Sequence, residues 1–267
     1  MLTTVSEELF EEACQGIVEG SSQSGFDWDD MLKNASTIKT VNNYMKHCNC
    51  KELGNGSGRQ AWLVKEGSKA SDGVEIKGPA CFKVAKNMKG VAQNLAEAEY
   101  LEKLKSYSFA PIIYNHDPNG LFILVEAGTP IKGPRNKKLM EYFREWNDWA
   151  WENGFTDEDD EDFTLYNGTN NDFFDGFMFH VCGTADFDAK GVDTILDGLK
   201  RMSSEIPKYK PIYELCDFLF GKNAVHNLEA YDFCQYANWA FVKRNRESVI
   251  IPIDFGFTKE VREKYYL

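Results

Sequence analysis

No stretch of about 18 uninterrupted apolar residues occurs in this 267-residue chain, so a membrane-spanning helix is not expected. Residues Met1 to Glu12 lack the basic and then apolar order of a secretion signal and carry acids instead, which predicts a cytosolic location. Basic side chains are outnumbered: 30 Lys and Arg stand against 42 Asp and Glu, a formal net charge of −12. Such a field disfavours nonspecific binding to nucleic acid or an anionic membrane and favours partners with basic segments. No disulfide framework is legible either. The seven cysteines (Cys14, Cys48, Cys50, Cys81, Cys182, Cys216, Cys234) are odd in number, scattered and mostly in apolar contexts, which predicts buried free thiols. His47-Cys48-Asn49-Cys50 is the one local cluster, and no second ligand pair stands at zinc spacing from it. Internal repeats are absent.

What is present argues for a folded protein. A 43% hydrophobic content with 14% aromatic residues is enough for a substantial core in one large domain or two lobes. Leu9, Phe10, Ala13, Cys14, Ile17 and Val18 recur at helical spacing before Ser21-Ser22-Gln23-Ser24-Gly25 breaks the pattern, so residues 1–40 read as a helical extension and linker. Strand-like segments punctuated by glycine follow at Trp62 to Val64, Ala80 to Val84, Ile112 to Tyr114 and Leu121 to Val125, with a helical segment from Val91 to Leu104 between the second and third. This sheet-rich part is expected to cover residues 41–128.

After Glu126-Ala127-Gly128 the pattern turns helical, at Lys137 to Trp151, Val192 to Ser203 and Ile212 to Phe220, which makes residues 129–267 a helix-rich part. Asp157, Glu158, Asp159, Asp160, Glu161 and Asp162 mark a solvated acidic insertion at about residues 153–190. The aromatics Trp146, Trp149, Trp151, Phe173, Phe174, Phe177 and Phe179 read as core packing of the helical part.

The chain also carries charges where a core strand or a turn would not need them. Gly54-Asn55-Gly56-Ser57-Gly58 lies between strand-like segments, where missing side chains let backbone amides approach phosphates. Lys83 is the single charge inside Ala80-Cys81-Phe82-Lys83-Val84-Ala85, and if that strand is buried it needs an anion, which Glu97 can supply. Near the end, Asp254-Phe255-Gly256 follows the apolar run Val249 to Ile253, with Asp232 and Asn238 upstream. Two carboxylates and an amide on short loops suit the holding of magnesium against a nucleoside triphosphate and the receipt of a hydroxyl proton.

In this order the motifs resemble the protein-kinase-like superfamily, and specifically the small serine/threonine protein kinases encoded by tailed bacteriophages, over about residues 50 to 128 and 212 to 257. The resemblance implies an α+β, bilobal fold with an antiparallel-sheet N-lobe and a truncated helical C-lobe. It implies that Gly54, Asn55, Gly56, Ser57 and Gly58 cover the phosphates of ATP and that Ala61 takes the valine slot behind them. Lys83 matches the third-strand lysine. Glu97 matches its ion-pair partner, since Tyr100, Leu101 and Leu104 follow at the family's apolar offsets. Val125, Glu126 and Ala127 look like the hinge that meets adenine. Asp232 corresponds to the catalytic aspartate, and Asn238 and Asp254 correspond to the Mg2+ ligands.

The implied activity is ATP- and magnesium-dependent phosphorylation of serine or threonine on host proteins. Asp232 would orient the hydroxyl and accept its proton.

Several positions depart from the family's pattern. Arg59 stands in the slot of the third glycine, which is expected to close the loop less tightly. Asn238 follows Asp232 by six residues where the family has five, and Ala230 and Tyr231 replace the usual His-Arg. Only Phe257 to Leu267 follow the Asp-Phe-Gly triplet, too few for an ordinary activation segment and peptide-binding helices, so the acidic insertion is a candidate for docking basic protein segments. Two other readings stay open. One is a small-molecule phosphotransferase of the aminoglycoside or choline kinase type, whose His-Gly-Asp triplet is replaced here by Ala230-Tyr231-Asp232. The other is a pseudokinase that binds partners without turnover.

Overall fold

The computed structural model describes residues 25–34, 37–133, 136–154, 189–221, 227–229, 233 and 235–267. It is a mixed α+β protein with a five-stranded antiparallel sheet and a helical part. The chain divides into two compact units. One contains the residues up to Lys105 together with Pro111–Thr129 and Ile253–Leu267, and the other contains Ser106–Ala110 and Pro130–Pro252.

The sheet of the first unit comprises β1 (Lys51–Asn55), β2 (Arg59–Val64), β3 (Ala80–Ala85), β4 (Ile113–His116) and β5 (Phe122–Glu126), in the order β1-β2-β3-β5-β4. Because successive strand residues face opposite sides, Trp62 and Val64 of β2, Phe82 and Val84 of β3, and Phe122 and Leu124 of β5 build one apolar face. Helices α1 (Trp28–Asn34) and α2 (Ile38–His47) supply Trp28, Met31, Val41 and Met45 to that core, beside Phe26. Phe82 lies at its centre, with ring centroids 5.2 Å from Phe26, 5.9 Å from Trp28 and 5.6 Å from Phe122. The helix anticipated from Leu9 to Val18 lies outside the described residues.

Helix α3 (Met88–Leu104) packs against β3, β4 and β5. Its N-cap is Asn87, whose Oδ1 accepts from the Gly90 N–H at 3.1 Å, and it buries Asn94, Glu97, Ala98, Leu101 and Leu104. The short helix Lys259–Tyr265 is capped by Thr258 and rests on α3. There Gln93 Nε2 donates to the Tyr266 hydroxyl at 3.2 Å, and Lys89 Nζ sits 3.5 Å from the Tyr266 ring centroid.

The second unit contains α4 (Lys137–Glu152), α5 (Ala189–Glu205), α6 (Lys210–Phe220) and the hairpin β6 (Trp239–Arg244) and β7 (Glu247–Pro252). Leu139, Tyr142, Trp146 and Trp149 recur at three- and four-residue steps along α4 and are all buried, the stripe a core-facing helix requires. Tyr142 meets Tyr209 at 4.5 Å between centroids, and Trp149 Nε1 donates to Glu205 Oε2 at 2.7 Å. Trp151 differs from these neighbours and is exposed. Phe173, Phe174, Phe177, Phe179 and the acidic run from Asp157 to Asp162 lie outside the described residues.

Candidate functional site: a buried four-charge chain

The sheet face opposite the Phe82 core carries the charges. Cross-strand pairing sets Ala61 against Lys83 and Lys83 against Ile123, and alternation places Arg59 on the same side as Ala61. The Lys83 ammonium is buried, which is tolerable only with close partners. It donates to Glu97 Oε1 at 2.6 Å and to the Ile253 carbonyl at 3.2 Å.

Glu97 is fully buried, and its second oxygen accepts from Arg59 Nη1 at 2.5 Å. The other end of that guanidinium, Nη2, reaches both carboxylate oxygens of Asp254, each at 2.8 Å. The result is an alternating series, Lys83, Glu97, Arg59, Asp254, whose formal charges cancel, with Lys83 and Glu97 buried and Arg59 and Asp254 partly exposed.

The electrostatics follow from that series. Burial on its own would raise the Asp254 carboxyl, but the adjoining charges of Arg59 and Lys83, with the Gly256 N–H donating at 3.0 Å, hold it well below the usual carboxylate range. Burial likewise opposes the charged form of Arg59, and Asp254 and Glu97 together outweigh it, so the guanidinium stays protonated. A buried ionic network is weak evidence for net stability, yet deleting one member leaves an uncompensated charge.

The glycine loop folds back on the start of α3. Gly56 N–H donates to the Arg59 carbonyl at 2.9 Å and closes the turn between β1 and β2, while the pairing of those strands is irregular between Glu52 and Gly54. Lys86 Nζ donates to Asn55 Oδ1 at 2.6 Å and to the Gly56 carbonyl at 2.7 Å. Asn87 Nδ2 donates to the Ser57 carbonyl at 2.9 Å, and Lys89 Nζ to Ser57 Oγ at 3.0 Å. Lys86 and Lys89 thus bring two cations to the loop, a role the sequence reading left unassigned. Their signal was a pair of lysines directly after the Lys83 strand, at the first turn of the next helix.

A small apolar group lies in the same unit: Leu63 and Ala127 are buried, and Leu53 and Cys81 pack against them. Burial pushes the Cys81 thiol up to about 11. Val125 is buried at the end of β5. At the expected hinge, Glu126 N–H donates to the Ile112 carbonyl at 2.7 Å and Ala127 N–H to the Pro79 carbonyl at 3.0 Å, so these two donors are engaged within the unit.

Asn238 belongs to the second unit, buried at the end of the turn Tyr236–Asn238, where its N–H donates to the Gln235 carbonyl at 2.9 Å. Asp232 lies outside the described residues. Among the described residues no group of three or more His, Cys, Asp or Glu side chains could hold a metal ion. Cys48 and Cys50 are free thiols, and burial raises that of Cys50 to about 12. No helix among the described residues is long and apolar enough to cross a membrane. No protein-family model matches this chain, and no curated protein matches it.

Proposed function

We propose that this protein is an ATP-dependent protein serine/threonine kinase with a bilobal, protein-kinase-like fold, of the kind that tailed bacteriophages encode, acting on host proteins in the host cytoplasm. One observation carries the reading: a strand lysine, Lys83, is buried against a helix carboxylate, Glu97, with the aspartate of Asp254-Phe255-Gly256 in the same charge cluster. A lysine held on a rigid strand by a carboxylate is preorganised to meet phosphate oxygens without the entropy cost of a free surface lysine.

In this reading ATP enters with its magnesium, and its phosphates lie under Gly54, Asn55, Gly56, Ser57 and Gly58, with Lys83 on the α and β phosphates. Adenine rests on Ala61, Cys81, Val125 and Ala127. Asp232 takes the acceptor hydroxyl proton, a contribution of about a hundredfold to ten-thousandfold in rate. Protein acceptors with basic segments suit the net charge of −12.

Asp254 as it stands does not fit a magnesium ion, because Arg59 engages both of its oxygens. No step is therefore assigned to a metal bound at Asp254. The same contact favours a second reading, a pseudokinase that binds nucleotide or partners without turnover.

Intact-mass analysis after incubation with magnesium and ATP, with and without a bacterial lysate carrying γ-labelled ATP, separates the two. A kinase yields labelled protein that Lys83→Met abolishes. Nucleotide binding with no labelled product of any kind selects the pseudokinase.

A further inference from the structure

The third-glycine slot of the loop holds the longest cationic side chain available, and that side chain lies, mostly enclosed, between two carboxylates. Arg59 Nη2 lies 2.8 Å from both Asp254 oxygens while Nη1 reaches Glu97 Oε2 at 2.5 Å and Asn94 Oδ1 at 3.5 Å. The backbone on either side of these contacts is closely packed. Gly58, immediately before it, has so little room that a Cβ there would meet Gln93 Oε1 at 2.6 Å. At Gly256, two residues after Asp254, a Cβ would meet the Gln93 carbonyl at 2.8 Å and Arg59 Nη1 at 3.1 Å. The guanidinium thus lies among α3, the loop and the Asp254 turn, and its fork spans two carboxylates, with Nη1 on Glu97 and Nη2 on both oxygens of Asp254.

We propose that Arg59 occupies the cation position on Asp254, so that in the resting chain a divalent cation must compete with Arg59 for that carboxylate. Both oxygens of Asp254 accept from one guanidinium, and Oδ1 additionally accepts from Gly256 N–H. A hard dication needs oxygen lone pairs turned toward it and free of cationic donors. With Arg59 in place it would also face the repulsion of two positive charges, Arg59 and Lys83, at close range in a partly desolvated site. Removal of the Arg59 charge reverses this balance: Glu97 and Asp254 would then carry two negative charges against the one positive charge of Lys83. The inference deepens the kinase reading by identifying what governs metal access at Asp254, but it concerns cation binding alone and is tested with no nucleotide present.

The probe is Mn2+ added to the full-length, 15N-labelled chain, read by paramagnetic loss of the Gly256 amide signal, whose N–H touches Asp254. In the native chain the Gly256 signal is expected to survive equimolar Mn2+. In Arg59→Gln it is expected to vanish at Mn2+ concentrations lower by about tenfold or more, the change that removal of one adjoining charge produces at a carboxylate. Arg59→Lys, which restores a charge, should move the response back toward the native one. Loss of the Gly256 signal in the native chain at equimolar Mn2+ overturns the proposal, and so does a folded Arg59→Gln chain whose Gly256 responds as the native one does. The native-chain measurement stands even if Arg59→Gln does not fold. Failure of phosphoryl transfer would leave these results untouched, so the two readings fail separately.

Discussion

The carbonyl of Gly58 and the backbone of Gly90 are in direct contact: a Cβ added at Gly90 would lie 2.0 Å from Gly58 O. A loop tip and the first turn of α3 are thereby locked together, and no side chain fits between them. Lys86 N–H, donating to the same Gly58 carbonyl at 2.8 Å, completes the lock.

Gly90→Ala should therefore force the loop away from α3 and destabilise the protein by about 1–3 kcal/mol, the ordinary cost of overpacking. A urea titration gives the stability change, and the Gly56 and Gly58 amide shifts report the loop. Unchanged stability with unchanged shifts would mean that the contact is looser than described.

Glu97 serves two cations at once, so its loss should weigh more than the loss of either cation. Glu97→Ala leaves Lys83 and Arg59 without their shared partner and should cost about 3–5 kcal/mol. Lys83→Met leaves Glu97 paired with Arg59 and should cost less. Chemical denaturation of both variants checks the order, and a larger loss from Lys83→Met would contradict the shared role of Glu97.

Phe82 should prove the central packing residue of the first unit. Phe82→Ala removes contacts with Phe26, Trp28 and Phe122 together and should cost about 3–5 kcal/mol. Because Phe26 and Trp28 precede the sheet in sequence, the same substitution should raise amide exchange in α1 as well as in β3. Exchange confined to β3 would show that α1 is stabilised elsewhere.

Much of this was legible in the sequence where a period or a lone charge carried the information. Glu97 and Glu99 are two residues apart on one helix, and the apolar offsets of Leu101 and Leu104 select Glu97. The structure buries Glu97 with those leucines and leaves Glu99 exposed, paired with Lys103 at 2.5 Å. The strands read at Trp62 to Val64 and Ala80 to Val84 lie inside β2 and β3, since alternating bulky residues have one stable arrangement on a half-buried sheet.

Arg59 was not legible in the same way. In sequence it reads only as a missing glycine that loosens the loop, because a long flexible side chain carries no period and its partners, Glu97 and Asp254, are remote in the chain. The helix that Thr258 caps, just after the Asp254 triplet, was likewise not read from the sequence, and it rests on α3.

The Asp254 carboxyl gives a pH dependence of definite sign. Its folded value lies below the unfolded carboxyl value of about 3.9. Its contribution to stability is therefore complete above about 3.9 and is lost as pH falls toward the folded value. The stability gap between the native chain and Asp254→Asn should stay level from about pH 5 to 7 and shrink on further acidification. A urea midpoint series measures it, and a gap that widens toward acid would reverse the assigned direction.

The most direct measurement of the central claim is transfer of labelled phosphate from ATP to protein, made on the native chain and on Asp232→Asn side by side with ATP binding followed by thermal shift. The account predicts labelled serine or threonine with the native chain, and near-native ATP binding with transfer reduced by about a hundredfold or more for Asp232→Asn. Transfer undiminished in Asp232→Asn, or a native chain that neither binds ATP nor labels any protein, would contradict it.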